Sequence, residues 1–395
     1  MKRVTLGDIA DIVSGGTPAR NQPKYWGGRI PWVKTGEVDF CTIKATEEHI
    51  TEEGLENSSA RIVPKGTILM AMYGQGKTRG QVAILGIDAA VNQACAAILL
   101  NDEADRDFVY QQLAFHYLDI RKLSNSGQQN NLNADLIRSV AFPLPPKPAQ
   151  RKIATILRAW DSAINAYQAL IEVKSQRLAS IRQQLLQGKR RISKESRAKW
   201  RRVQIGEILK HIFRPVNWSP KDVYRLISIR RRCGGLFRRE DLRGADYKTT
   251  DLHEIRTGDF LISKRQVVHG AWGMVTKEFS GCHVSKEYSI LVNKAPDVLH
   301  MPFFDWLCHE QRMWHLAFLA SDGVHREKLI FDSRDFLRHY IELPPSIEEQ
   351  QRIVQALDAC DREIRLLEAE LEALKQQKRG LMQKLLTGEI RVKTK

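Results

Sequence analysis

The sequence predicts a mixed α/β (α+β) protein in which two strand-rich domains are each followed by one long helix. Three observations support this fold class. The chain has 395 residues, more than one hydrophobic core usually accommodates. Segments of its first half recur in the second half, and two stretches carry heptad periodicity. With 43% hydrophobic and 27% charged residues, the composition excludes wholly disordered, collagen-like and disulfide-scaffold proteins.

The two halves of the chain resemble each other at three places, in the same order and at an offset near 200 residues. The matching pairs are RVTLGDI at 3–9 with RVQIGEI at 202–208, FPLPP at 142–146 with IELPP at 341–345, each followed by Gln150 or Gln350, and LLQG at 185–188 with LLTG at 385–388. Self-similarity that keeps order and spacing indicates an internal duplication.

Each Leu-Pro-Pro precedes a long stretch that ends at Gly188 or Gly388, as the helix start and stop rules require. In both stretches apolar residues alternate spacings of four and three over more than four heptads, which predicts a left-handed coiled coil. We call these positions the seam, which Cys360 and the polar Lys174 and Lys378 complete. Its other members are Ile153, Leu157, Trp160, Ile164, Tyr167, Ile171, Leu178, Ile181, Leu185, Ile353, Leu357, Ile364, Leu367, Leu371, Leu374, Leu381 and Leu385.

A helix of this length spans about 55 Å, enough to separate two domains by more than one turn of a DNA duplex. A structural bundle with no measuring role is the alternative.

The globular segments 1–144 and 200–343 contain short apolar runs separated by glycine, which favour strand-rich domains with helices near 106–123 and 303–319. The apolar stretch 82–100 is long enough to resemble a membrane span, but Asp88, Asn92 and Gln93 interrupt it. Placing these polar side chains in the hydrocarbon core of a bilayer would cost much free energy. We expect strand, turn and strand there, and no membrane association. The acidic residue Asp8 occurs before any apolar run long enough for a signal peptide. We therefore expect a cytoplasmic protein.

The six cysteines are scattered without a CxxC pair, so we expect small core residues in a reducing compartment rather than zinc ligands or disulfides. The net charge is +16 and the pI about 9.6, an excess that attracts polyanions such as nucleic acid. The excess is regional, because residues 1–148 hold 16 basic and 16 acidic side chains, 149–199 hold 12 and 3, and 200–345 hold 24 and 18.

The glycine-rich loop at 74–81 resembles the sequence motif of a phosphate-binding loop around Lys77 and Thr78. A working one needs a helix directly after it, whereas the following residues predict a turn and a strand. Polar side chains between strands fit a nucleic-acid contact loop better, and a solvated hairpin tip remains the alternative. The candidate contact residues are Gln75, Lys77, Arg79 and Gln81.

The second domain carries three basic clusters beside predicted strand ends. Charge runs are usually solvated faces, but this domain is net positive and its clusters recur near turns, so we favour contact with DNA. The clusters are Arg230, Arg231 and Arg232, then Arg238 and Arg239, then Lys264, Arg265 and Gln266.

Catalytic motifs are missing from the sequence. There is no Gly-x-Ser-x-Gly, no HExxH and no metal-ligand cluster. The Leu-Pro-Pro segments also lack the polar residue and the aromatic that adenine methyltransferases place around a flipped base.

The duplicated Gly-Asp/Glu-Ile openings, the Leu-Pro-Pro with a following Gln, and the heptad helices ending in Leu-Leu-x-Gly together resemble the specificity subunit of a type I restriction-modification enzyme. The resemblance covers essentially the whole chain. It implies target-recognition domains at 1–144 and 200–343, coiled-coil helices within 145–190 and 344–388 that pair antiparallel, a basic linker at 191–199 and a basic tail at 389–395.

The resemblance also implies a function in host defence. Each domain would recognise one half of a bipartite, asymmetric duplex DNA target, and the helices would act as a spacer. The helices would dock two methyltransferase subunits that use S-adenosylmethionine, and restriction and translocase subunits would add ATP- and Mg-dependent cleavage. The chain itself would hold no catalytic residue, metal or cofactor. The first domain has no net charge, which departs from the basic charge expected of a DNA-binding domain. Its DNA contacts must therefore come from the local arrangement of its side chains. An ATP-using enzyme built on Lys77 and a coiled-coil scaffold without a nucleic-acid role are the rival hypotheses.

Overall fold

The structure is a computed structural model that describes residues 2–74, 76–124, 131–192, 199–246, 249–325 and 329–393. The chain forms two compact units. The first comprises Met1–Ala169 and Glu368–Lys395, and the second comprises Leu170–Leu367. Within the described residues, no helix is both long and apolar enough to cross a membrane. Parts of the predicted basic linker (193–198) and basic tail (394–395) lie outside the described residues.

In the first half of the chain, the described residues form eleven strands and six α-helices. The strands are β1 Lys2–Thr5, β2 Ala10–Ser14, β3 Trp26–Val33, β4 Thr42–Ile43, β5 Glu48–Ile50, β6 Ile62–Val63, β7 Ile68–Ala71, β8 Val82–Leu85, β9 Ala89–Val91, β10 Cys95–Leu100 and β11 Ala141–Leu144. The helices are α1 Leu6–Ile9, α2 Glu52–Glu56, α3 Arg106–Phe115, α4 Tyr117–Leu123, α5 Ala134–Arg138 and the long α6 Lys147–Leu186.

The second half repeats this order with small changes. Its strands are β12 Arg201–Gln204, β13 Leu209–Ile212, β14 Val223–Ile229, β15 Leu236–Arg243, β16 Leu252–Glu254, β17 Phe260–Ser263, β18 Trp272–Met274, β19 His283–Ser285, β20 Tyr288–Asn293, β21 Ser321–Asp322, β22 Ile330–Phe331 and β23 Tyr340–Leu343. Its helices are α7 Ile205–Ile208, α8 Met301–Leu307, α9 Gln311–Leu319, α10 Ser333–Arg338 and the long α11 Ile347–Leu386.

The two domains share one sheet topology. A central sheet has the order β2-β10-β7-β8-β4 in the first domain and β13-β20-β17-β18 in the second. A second sheet has the orders β5-β3-β9-β6 and β15-β14-β19-β16, with a parallel pair at the same place in each, β3 with β9 and β14 with β19. The mixed α/β class is therefore confirmed, and the duplication seen in three short motifs extends to both sheets, with β4 as an additional strand of the first domain.

The apolar stretch 82–100 forms three strands rather than the expected two. Two turns separate these strands. In the first, Asp88 Oδ1 accepts from Lys65 N of another loop at 2.7 Å, and in the second, Asn92 Oδ1 accepts from Ala94 N at 3.0 Å. Between these turns β9 leaves the central sheet and joins the second one. The cysteine expectation was also wrong in part, because Cys41 is exposed, in the loop before β4, while Cys95, Cys282 and Cys308 are buried.

The glutamine that follows each Leu-Pro-Pro fastens a long helix to its domain. Gln150 is 1% exposed; its Oε1 accepts from Asp105 N at 2.7 Å and its Nε2 donates to Glu103 O at 3.0 Å. Gln350 is fully buried and makes the same pair of bonds with His300 N at 2.8 Å and Val298 O at 2.9 Å. Because a buried amide is costly unless both of its ends are bonded, the glutamine in the repeated motif fixes where each helix begins.

The two long helices end in the same way. Gly188 and Gly388 have φ of 65° and 81°, a left-handed conformation that glycine adopts without steric cost at a helix C-terminus. Beyond them, Arg190 N donates to Gln184 O at 3.1 Å and Ile390 N donates to Lys384 O at 3.0 Å, which satisfies carbonyls left open at the helix end.

The seam residues lie buried or half-buried along both helices, and the contacts within each unit run antiparallel. In the first unit, Ile153 and Leu157 share a core cluster with Leu385, and Asp161 pairs with Lys378. In the second unit, Lys174 pairs with Glu363 at 2.6 Å. There, Leu185 shares a core cluster with Ile353 and Leu357. Each polar seam lysine thus has a carboxylate opposite it, and the helix ends are built into the domain cores.

Candidate nucleic-acid interface

The three arginines of the second domain's first cluster lie at the tip of the β14–β15 hairpin. The hairpin tip comprises residues 230–235, and Arg230, Arg231 and Arg232 are all exposed there. Arg230 N donates to Gly235 O at 2.9 Å, and the Arg230 guanidinium lies 4.6 Å from the centre of the Phe237 ring. The tip therefore presents three cations on a hydrogen-bonded turn.

The hairpin tip is fastened to the turn that carries the Lys264 cluster. Arg232 and Cys233 have φ of 57° and 54°, an uncommon left-handed conformation for side-chain-bearing residues. Their backbone amides donate to His269 O and Gly270 O, both at 2.8 Å. The structure thus brings the tip and the 264–271 turn together, two clusters that are separate in the sequence.

The Cys233 side chain joins this contact to the helical side of the domain. Its sulfur accepts from Trp272 Nε1 at 3.3 Å and donates to Cys308 O at 3.5 Å. Burial raises the pKa of the Cys233 thiol to about 11, so the thiol keeps its proton at neutral pH and can donate. Sequence analysis had treated Cys233 as an ordinary core residue.

Trp314 of α9 packs against the 264–271 turn at Gly270. A Cβ on Gly270 would lie 2.5 Å from the Trp314 ring, and Gly270 has a φ of 70°, so only glycine fits. Trp314 Nε1 donates to Cys308 O at 2.8 Å. Of the predicted contact residues on this turn, Arg265 is exposed and pairs with Glu287 at 2.6 Å, while Lys264 and Gln266 are half-buried.

Arg238 and Arg239 lie along β15 rather than at the hairpin tip. Both are exposed, and Arg238 lies 3.9 Å from Asp241 in a long ion pair. The strand lies at the edge of its sheet, where charged side chains also discourage pairing with other chains. The structure therefore leaves these two arginines accessible but does not join them to the other clusters.

The glycine-rich loop of the first domain connects β7 to β8, as predicted, and a strand rather than a helix follows it. Gln75 lies outside the described residues. Lys77 is exposed and Arg79 is half-buried. Gln81 is 8% exposed, and its amide donates to Asp39, so this predicted contact residue faces the domain interior.

Tyr117 of α4 fixes this loop, a role that sequence analysis missed. The Tyr117 hydroxyl donates to Lys77 O and accepts from Arg121 Nη1 at 2.7 Å. Gly80 has a φ of 84°, and a Cβ there would lie 3.1 Å from Arg121 Cγ. Gly80 was the only local sign of this close approach. Tyr117 with Gly80 and Trp314 with Gly270 are thus equivalent supports in the two domains.

Asp305 of α8 is a half-buried acid next to Met274. Burial raises the pKa of Asp305 to about 6, although its Oδ1 accepts from Met274 N at 3.1 Å, which acts in the opposite direction. Such a group binds its proton more tightly in the folded state than in the unfolded chain. Its effect on stability is therefore most favourable below its ordinary pKa of 3.8 and declines as the pH rises towards 6.

We expect Asp305→Asn to stabilise the protein at pH 8 by up to about 3 kcal/mol, because the amide keeps the acceptor for Met274 N without the half-buried charge. Urea unfolding of both proteins between pH 4 and 8 measures the difference, which should shrink towards pH 4. Asp135→Asn, at a carboxylate whose side chain is 88% exposed, is the control. A pH-independent difference at Asp305 would contradict the prediction.

The comparisons with known proteins agree with this architecture. Residues 1–175 match the family model for the type I restriction modification DNA specificity domain. The chain is 29% identical over 164 residues to the type I restriction enzyme MjaIX specificity subunit of Methanocaldococcus jannaschii. This alignment covers 40% of this chain and 37% of that protein. It thus aligns with well under half the length of that relative.

A second relative aligns over nearly the full length. The putative type I restriction enzyme MjaX specificity subunit, also of M. jannaschii, is 24% identical over 98% of this chain and 93% of its own. The crystal structure of a type I restriction-modification system S subunit from M. genitalium superimposes with a TM-score of 0.59 at 14% identity, covering 98% of this chain and 96% of that one, and so shares the fold. The family model thus matches the first 175 residues of the chain, and much of the sheet topology of that region recurs in the second half.

Proposed function

We propose that this chain recognises a bipartite, asymmetric duplex DNA sequence as the specificity subunit of a type I restriction-modification complex. In this proposal residues 1–144 and 200–343 are the two target-recognition domains. The observation that carries it is the combination of one shared sheet topology with unlike loops at equivalent places. Two copies of one scaffold with different contact side chains suit two different half-sites.

The second domain has the better-defined contact surface. Its hairpin tip places Arg230, Arg231 and Arg232 next to the turn that bears Lys264 and Arg265. Arginine and lysine supply most protein contacts to phosphate, and arginine also binds guanine edges bidentately. In the net-neutral first domain, we assign the corresponding role to Lys77 and Arg79 on the loop that Tyr117 supports.

We assign no catalytic step to this chain. In the proposal, two methyltransferase subunits bring S-adenosylmethionine, and restriction subunits bring ATP and Mg. The long helices would dock these subunits. The second unit supports a docking role, because Leu170, Val173 and Leu366 are 41%, 61% and 66% exposed on its helices, and exposed apolar patches commonly mark protein contacts.

Methylome sequencing tests the proposed function. Adenine methylation would be mapped in cells with and without this gene, and in cells that carry Arg230, Arg231 and Arg232 replaced by alanine. We expect one two-part motif to lose methylation in the deletion strain and to be methylated less in the variant. A methylome that does not depend on the gene, or a continuous motif without a spacer, would contradict the proposal.

A further inference from the structure

Phe213 is the most exposed aromatic side chain in the described part of the chain, at 69%. It directly follows β13, the edge strand of the second domain's central sheet. None of the assigned contacts of this domain uses it. Single exposed apolar side chains are common on protein surfaces, but Phe213 is held in place by its backbone and by its neighbours.

The backbone that carries this ring is fixed. The next residue, Arg214, binds the carboxylate of Asp259 through both terminal nitrogens, with Nη2 to Oδ1 at 2.8 Å. The Asp259 side chain is 4% exposed and also accepts from Arg256 N at 2.7 Å. In addition, Glu254 N donates to Arg214 O at 3.0 Å. The ring therefore projects from a rigid segment, and its binding partner would not have to order a loop.

The neighbours of the Phe213 ring are the imidazoles of two histidines. The Phe213 ring centre lies 4.5 Å from that of His211 and 6.0 Å from that of His253. Burial, followed by the nearby charge of Lys264, lowers the pKa of His211, so this imidazole is neutral at pH 7. Because β13 and β17 both pair antiparallel with β20, Phe213 after β13 and Lys264 after β17 lie at the same end of the central sheet.

We propose that Phe213 stacks on a nucleobase of the duplex target, at a base step next to the phosphates held by Lys264 and Arg265. The inference rests on the proposed function and adds to it a residue and a mode of contact. An aromatic ring stacks on any base because every base has a π-face. Apolar side chains that enter between base pairs unstack the step and kink the duplex, so Phe213 would contribute sequence preference through the ease of that deformation.

The test uses the full chain co-expressed with its modification subunits and a duplex that carries the methylated motif mapped in cells. Phe213→Ala should lower affinity for this duplex by about 5- to 150-fold. The dependence of affinity on salt should stay unchanged, because stacking releases no counterions. Phe213→Tyr keeps the ring and should bind as the wild type does. Val223→Ala is the matched control, since Val223 is 56% exposed at the other end of β14 from the hairpin tip.

A second measurement places the contact on the DNA. Single 2-aminopurine substitutions, outside the methylated adenines, should show increased fluorescence at one position with the wild type and Phe213→Tyr, but not with Phe213→Ala. Affinity of Phe213→Ala within twofold of wild type would overturn the proposal. So would a variant that binds DNA normally but recovers less modification subunit, since Phe213 would then be a protein contact. If the wild type fails to prefer the motif over a scrambled duplex, the proposed function fails and the inference falls with it.

Discussion

Alanine at Arg230, Arg231 and Arg232 together should lower the affinity of the assembled protein for its target duplex at least about tenfold, since one hydrogen bond to a charged group contributes about 1.5 kcal/mol or more. The slope of log affinity against log salt should also fall by about 0.9 for each phosphate that the variant no longer binds. The effect should be large because the hairpin tip is held in place by bonds to His269 and Gly270, so its cations are already positioned before DNA binds.

Titrations at several salt concentrations measure both quantities. A triple variant of Lys221, Lys277 and Arg338 to alanine is the matched control, because it removes the same charge from exposed positions outside the hairpin tip. If one tip arginine reads a base, its single alanine variant should also lose roughly 1–3 kcal/mol of discrimination against a base change. An unchanged salt slope in the tip variant would make the tip a solvated turn.

Arg214→Met should destabilise the second unit by about 3–5 kcal/mol, the usual cost of removing one partner from a buried ion pair. The side chain of Asp259 is 4% exposed and that of Arg214 is 21% exposed. The remaining carboxylate would therefore stay buried with only the Arg256 amide as an observed donor. Urea unfolding followed by tryptophan fluorescence reports on this unit, which contains Trp200, Trp218, Trp272, Trp306 and Trp314.

Two further variants separate burial from charge. Arg265→Met removes the exposed pair with Glu287, whose side chains are 60% and 45% exposed, and should cost less than about 1 kcal/mol. Arg214→Met combined with Asp259→Leu should recover most of the loss, because no charge is left buried. If the double variant is no more stable than Arg214→Met, the pair contributes through packing and not through electrostatics.

The sequence predicted those features that local periodicity encodes. The helices from Lys147 and Ile347 to Leu186 and Leu386 follow from heptads and flanking proline and glycine, since both signals lie within a few residues of their effect. The duplication could also be predicted from the sequence, because its motifs lie at positions where the structure allows few residue types. The buried bonds of Gln150 and Gln350 show why that amide follows each Leu-Pro-Pro.

The arrangement of the candidate site was not predictable in the same way. Tyr117 supports Lys77 across 40 positions of sequence, and Cys233 contacts Cys308 across 75. Such contacts depend on how strands and helices pack, which no local pattern records. The exposed Cys41 and the inward-facing Gln81 illustrate the same limit, because a residue type alone does not determine which way a loop side chain faces.

The ion pairs of the long helices have a consequence for alignment. If α11 slid by one heptad along α6, Lys378 would leave Asp161 and lie level with Ala154 or Gln168, neither of which carries a negative charge. Apolar seam residues would still meet apolar residues after such a shift, so hydrophobic packing discriminates poorly between the two alignments. A polar residue in a coiled-coil core is best known for selecting one register at some cost in stability. The pairing of Lys378 with Asp161 therefore favours the observed alignment of the two helices over a shifted one that the leucines alone would tolerate.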